Sequence, residues 1–172
     1  VSEINHPAFR DRFLSFESAP QWVDLQGLAT IAEKVAKTAA APWGGSTDVL
    51  AAMERIANVV EYNRLPPEEV PDLIIFSDMQ FNAADRGGGR GYGGQSAKTT
   101  HELVCDMFSE LGHPMRGSPY PAPRIVYWNL RGDTSGFPVA ADTPNVQMLS
   151  GFSPAMLELV MTAQALVTES EA

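Results

Sequence analysis

What this sequence lacks narrows its chemistry first. A single cysteine, Cys105, excludes an internal disulfide framework and a cysteine-based zinc site. The three histidines, His6, His101 and His113, lie far apart with no i, i+4 pair among them, which argues against a histidine metal centre. No apolar run reaches the roughly 18 residues that a membrane-spanning helix needs, so no membrane partner is expected. Basic residues are scarce. Twelve Lys and Arg against 21 Asp and Glu give a formal net charge of -9. Such a surface repels phosphate backbones as a whole, though a local basic patch survives that argument. The first residues, Val1 to His6, show no initiator Met and no basic-then-apolar leader pattern. A piece of a longer chain, in a reducing cytoplasmic setting, is the expectation.

What is present has the balance of a folded domain. The chain has 172 residues, 44% hydrophobic and 19% charged, which fits one domain over residues 1–172. Segment 12–18 alternates as a strand does, and 21–25 reads as the second strand of a hairpin. Leu28, Ile31, Ala32 and Val35 recur at helical spacing until Pro42-Trp43-Gly44-Gly45. Val49, Leu50, Met53, Ile56, Ala57 and Val60 form one stripe of a second helix ending near Asn63, with Ser46 or Thr47 as its N-cap. The nearly unbroken apolar runs 72–78 and 124–130, with a shorter one at 146–150, predict strands buried on both faces. Between them, 100–111 carries Leu103, Val104, Met107, Phe108 and Leu111 on one helical face, with Gly112 at its end and Cys105 expected as a buried thiol. Ser153-Pro154 opens a last helix with Met156, Leu157, Val160, Ala163 and Val167 toward a core. Segment 85–98 is Gly-rich and is expected to be a flexible loop.

This order predicts an α/β fold, a mostly parallel sheet with helices on both faces. In such sheets ligands collect at the carboxyl edge of the strands. Two polar clusters map there: Gly44-Gly45-Ser46-Thr47-Asp48, and Ser77-Asp78 at the end of a buried strand. The hydroxyl of Thr47 and the carboxylates of Asp48 and Asp78 make a hard donor set suited to Mg²⁺, Mn²⁺ or Ca²⁺. The plainer reading is that Thr47-Asp48 caps a helix and Asp78 holds a turn.

Four segments in order carry a resemblance: Trp43 to Asp48, Asp72 to Phe81, Pro123 to Arg131, and Leu149 to Pro154. Together they resemble the von Willebrand factor A-like domain of the DUF2828 family and, more distantly, that of the Ro ribonucleoprotein ring proteins. The resemblance implies a Rossmann-like three-layer sandwich with a metal-ion-dependent adhesion site. It assigns Thr47 and Asp78 as ligands, with Ser46, Asp48 and Ser77 behind them. The family's first ligand segment, Asp-x-Ser-x-Ser after the central strand, does not occur in this chain. The resemblance therefore implies a domain lacking its first central strand, an ion held weakly, and exposed strand edges open to self-association or to an upstream segment.

The implied function is non-enzymatic: a bound cation whose open position takes an acidic side chain from a protein partner. Two alternatives compete. Asp78 after a buried strand suits a Mg²⁺-dependent phosphatase-like nucleophile, but the second Asp of the Asp-x-Asp pattern is absent from Ser77-Asp78-Met79-Gln80. Arg86, Arg90 and Tyr92, within a short Arg-Gly-Gly-like stretch, suit RNA contact by charge and stacking.

Overall fold

The computed structural model describes residues 2–44, 48–77, 98–130, 143–153, 155–158 and 160. Near the start, β1 (Arg12–Leu14) and β2 (Trp22–Asp24) pair antiparallel, with Phe13 opposite Val23. β1 stops well short of the predicted 12–18 because at Ser15, level with Gln21, the side-chain hydroxyl takes the place of the backbone carbonyl in the ladder. The Ser15 N–H donates to the Gln21 carbonyl at 2.9 Å, and its hydroxyl accepts from the Gln21 N–H at 3.0 Å. The hairpin packs Leu14 and Trp22 against the main core.

The first helix, α1 (Ile31–Ala39), begins with a capping box: Thr30 accepts from the Glu33 N–H while the Glu33 carboxylate accepts from the Thr30 N–H. Its spacing predicts a helix correctly, but the stripe faces solvent. Ile31 is 80% and Val35 61% exposed, and no residue of α1 is buried. The flank nearer the protein is polar, with Lys34 paired to Glu3.

α2 (Val49–Asn63) buries the stripe read from its sequence. Its N-cap is Asp48, not Ser46 or Thr47: a carboxylate oxygen of Asp48 accepts from the Ala51 N–H at 2.9 Å. A carboxylate at a helix start gains both this bond and the macrodipole. Arg64 ends the helix in the left-handed region, φ 52°.

Three strands follow: β3 (Leu73–Ser77), β4 (Ile125–Asn129) and β5 (Val146–Ser150), with α3 (Thr100–Arg116) between β3 and β4. They form a parallel sheet in the order β3-β4-β5. Every residue of the central strand β4 is buried, as a run of apolar residues covered on both faces requires. The side chains alternate between two cores. Ile125 and Tyr127 join Val49 and Met53 of α2 and Val104 and Phe108 of α3. Val126, Trp128 and Leu149 on the opposite face meet Met156, Leu157 and Val160; the backbone is helical at 155–158 and 160. The chain is thus a mixed α/β fold with helical residues on both faces of a parallel sheet, each fully buried large side chain contributing about 1.5–3 kcal/mol.

α3 runs five residues beyond the predicted 111. Gly112 and Pro114 look like stops in the sequence, yet Gly112 is buried inside the helix and Gly117, at φ 72°, is the cap. At the amino edge of the sheet, Arg124 pairs with Asp72 at 3.0 Å and also reaches the Gln147 side chain. Asp72 precedes β3, Arg124 precedes β4 and Gln147 lies in β5, so this group ties the starts of all three strands together.

Candidate functional site at the carboxyl edge of the sheet

Parallel register sets the last residues of the three strands in one row. Ser77 is level with Asn129, and Asn129 with Ser150. All three therefore point to one face, the face that Tyr127 occupies one step earlier. The row directly before it, Phe76-Trp128-Leu149, points to the other face and is apolar. Asn129 is fully buried, and each residue of the polar row makes a further interaction within the protein. A buried amide requires such a partner.

The backbone around the row is well held. The Leu130 N–H donates to the Ser77 carbonyl and the Gly151 N–H to the Asn129 carbonyl, both at 2.9 Å, so the ladder continues just past the strand ends. The Trp128 indole N–H donates to the Gly151 carbonyl at 2.7 Å. Gly151 takes φ 118°, a conformation closed to most side chains. On the apolar face Phe76 packs on Trp128 with ring centroids 5.1 Å apart and remains 53% exposed.

Of the residues singled out in the sequence, Ser77 lies in this row, and Asp48 caps α2. Ser46, Thr47 and Asp78, and likewise Arg86, Arg90 and Tyr92 of the Gly-rich segment, lie outside the described residues. Among the described residues no group of three or more His, Cys, Asp or Glu is gathered to hold a metal. The described edge instead carries the neutral polar side chains of Ser77, Asn129 and Ser150, each already engaged within the protein, and Asp78 is the next residue of the chain after Ser77. By type, hydroxyl, amide and carboxylate oxygens are hard donors, which divalent cations such as Mg²⁺ prefer and soft metals do not.

Two features of this edge and of α3 escape a residue-by-residue reading. Ser150 closes β5 as Ser77 closes β3 and Asn129 closes β4, a pattern that shows only when the three strand ends are set side by side. In α3, Cys105 is exposed, not buried as expected, and its Sγ lies 3.5 Å from Nε2 of the buried His101. The four-residue spacing puts both on one helix face. Although Cys105 is exposed overall, partial desolvation of the thiol raises it above its ordinary range, and the carboxylates of Asp106 and Glu102 push it the same way. None of these influences activates the thiol as a nucleophile. Burial lowers His101, outweighing the opposing influence of the Glu102 carboxylate and the Pro144 backbone.

No helix among the described residues is long and apolar enough to cross a membrane. No solved structure matches the chain. An uncharacterized protein of Acanthamoeba polyphaga mimivirus is 32% identical over 166 residues. That alignment covers 95% of this chain and 26% of the viral protein, so the chain spans about a quarter of its relative's length. The model of a family described as a domain of unknown function, DUF7788, matches residues 1–172. On this match over its full length, the chain belongs to the DUF7788 family.

Proposed function

We propose that this domain is a non-enzymatic binding module of the von Willebrand factor A type, allied to the A-like domains of the DUF2828 family, that engages a protein partner through a cation at the carboxyl edge of its sheet. The observation that carries the reading is the polar row Ser77-Asn129-Ser150, which lies where open parallel sheets bind ligands. The α/β layering supports it as well. In this reading the Asp78 carboxylate and the Thr47 hydroxyl hold Mg²⁺ or Mn²⁺. Ser46, Asp48 and Ser77 stand behind them, orienting the loops. The ion would supply an open position for an acidic side chain of the partner. Because Asp-x-Ser-x-Ser is absent from the chain, the site is weak until another segment completes it. Among the described strands β3 pairs only with β4, so its other edge is the place for an added strand from an upstream segment or a second copy.

Isothermal titration of Mg²⁺ and Mn²⁺ into the protein tests the reading. Saturable binding of about one ion, abolished by Asp78→Asn and weakened by Thr47→Ala, is the expected result. Binding that survives both substitutions would place the ion elsewhere and remove the basis of the proposal.

A further inference from the structure

At the end of the helical layer where α2 and α3 finish, the chain forms a small cavity of about 210 Å³. Two arginines are among the residues that line it: Arg64, the C-cap of α2, and Arg116, the last residue of α3. Among the described residues neither is paired with a carboxylate, whereas Arg124 is. Two of the chain's 12 basic residues thus share one opening in a protein of net charge -9.

The choice of arginine at position 64 is itself informative. Arg64 sits at φ 52°, in the left-handed region where glycine costs least. The corresponding cap of α3 is a glycine, Gly117, at φ 72°. A strained backbone kept for a bulky residue points toward a use for its side chain. The walls are of another kind. Pro66 and Met115 are half-buried apolar surfaces, and the buried Tyr120 phenol is fixed by donating to the Leu65 carbonyl at 2.9 Å. Glu68 is the one carboxylate of the lining, and it offers an acceptor to a ligand that also carries a donor.

We propose that this cavity is a binding site for a small oxyanion-bearing molecule with a flat apolar body, its phosphate or carboxylate held between Arg64 and Arg116 and its body lying against Pro66, Met115 and Tyr120. Guanidinium groups take both oxyanions in the same forked geometry. The volume suits a single-ring molecule, being below that of cavities that hold drug-sized ligands. The site is separate from the carboxyl edge and does not depend on a cation there.

The test is an NMR titration of the ¹⁵N-labelled protein with phenyl phosphate, benzoate, inorganic phosphate and phenol. Saturable shifts of the Leu65, Glu68, Met115 and Tyr120 amides are expected with phenyl phosphate or benzoate, and the tighter of the two identifies the oxyanion. Inorganic phosphate should bind more weakly, and phenol not at all. Arg64→Gly relieves the backbone strain, so it should leave the protein at least as stable to urea while weakening binding about tenfold. Arg116→Gln should do the same to binding. Absence of saturable shifts with both aromatic anions would overturn the proposal, as would affinity unchanged in the Arg64→Gly, Arg116→Gln double variant.

Discussion

Gly112 and Tyr120 are in contact through their backbones: a Cβ placed on Gly112 would stand 2.3 Å from the Tyr120 nitrogen and 2.3 Å from the Ser118 carbonyl oxygen. The chain leaving α3 folds back over the helix at this point, and its Tyr120 phenol then reaches the Leu65 carbonyl beyond α2. A glycine inside the helix is the condition for that return. Gly112→Ala should destabilise the protein by about 1–3 kcal/mol, since the obstructing atoms are backbone and cannot swing away. Gly117→Ala, where a Cβ meets open space but φ is 72°, should cost about 1–2 kcal/mol from the left-handed backbone alone. Urea unfolding of both variants measures this, and a Gly112→Ala protein as stable as the parent would contradict the packing described.

The exposed stripe of α1 gives a second prediction. Ile31→Lys and Val35→Gln should shift stability by no more than about 0.5 kcal/mol, as surface changes do. Phe108→Ala, in a side chain with no exposure, should cost about 3–5 kcal/mol. Equal losses in the two sets, read from urea midpoints, would mean that α1 is packed through its apolar face.

These two regions also show what the sequence could convey. Periodicity located α1 and α2 alike, because both repeat apolar residues at helical spacing; it could not say that only α2 is covered. The runs 72–78, 124–130 and 146–150 were legible as strands because they lack polar alternation, but only the central β4 is buried along its whole length; β3 and β5, each paired on one side among the described strands, stay partly exposed, against the expectation of burial on both faces. Gly112 and Pro114 concealed the last turn of α3, since both are ordinary helix stops and only the tertiary return of Ser118 to Tyr120 explains the glycine. At the carboxyl edge, Ser77 was legible as a strand-end polar residue beside Asp78. The row it makes with Asn129 and Ser150 depends on register between distant strands, which no local spacing encodes.

His101 predicts a pH dependence. Burial holds its imidazole below the ordinary value of 6.5, so the unfolded chain binds a proton there more readily than the folded one. The folded state then loses stability as pH falls below about 6.5, and the loss levels off below the folded value. Urea midpoints at pH 7.5 and 5.5 should show a smaller acid loss for His101→Gln than for the parent protein. An identical loss in the two would mean that His101 is not desolvated by folding.

The most direct test of the central claim is where a hard cation binds. Paramagnetic Mn²⁺ added at substoichiometric amounts should broaden the NMR signals of Ser77, Asn129 and Ser150 first, and leave Leu65 and Tyr120, at the far ends of the α2 and α3 segments, sharp. The Asp78→Asn protein should lose that selective broadening. Broadening spread over exposed carboxylates, with Ser77, Asn129 and Ser150 unaffected, would contradict a cation site at the carboxyl edge of the sheet.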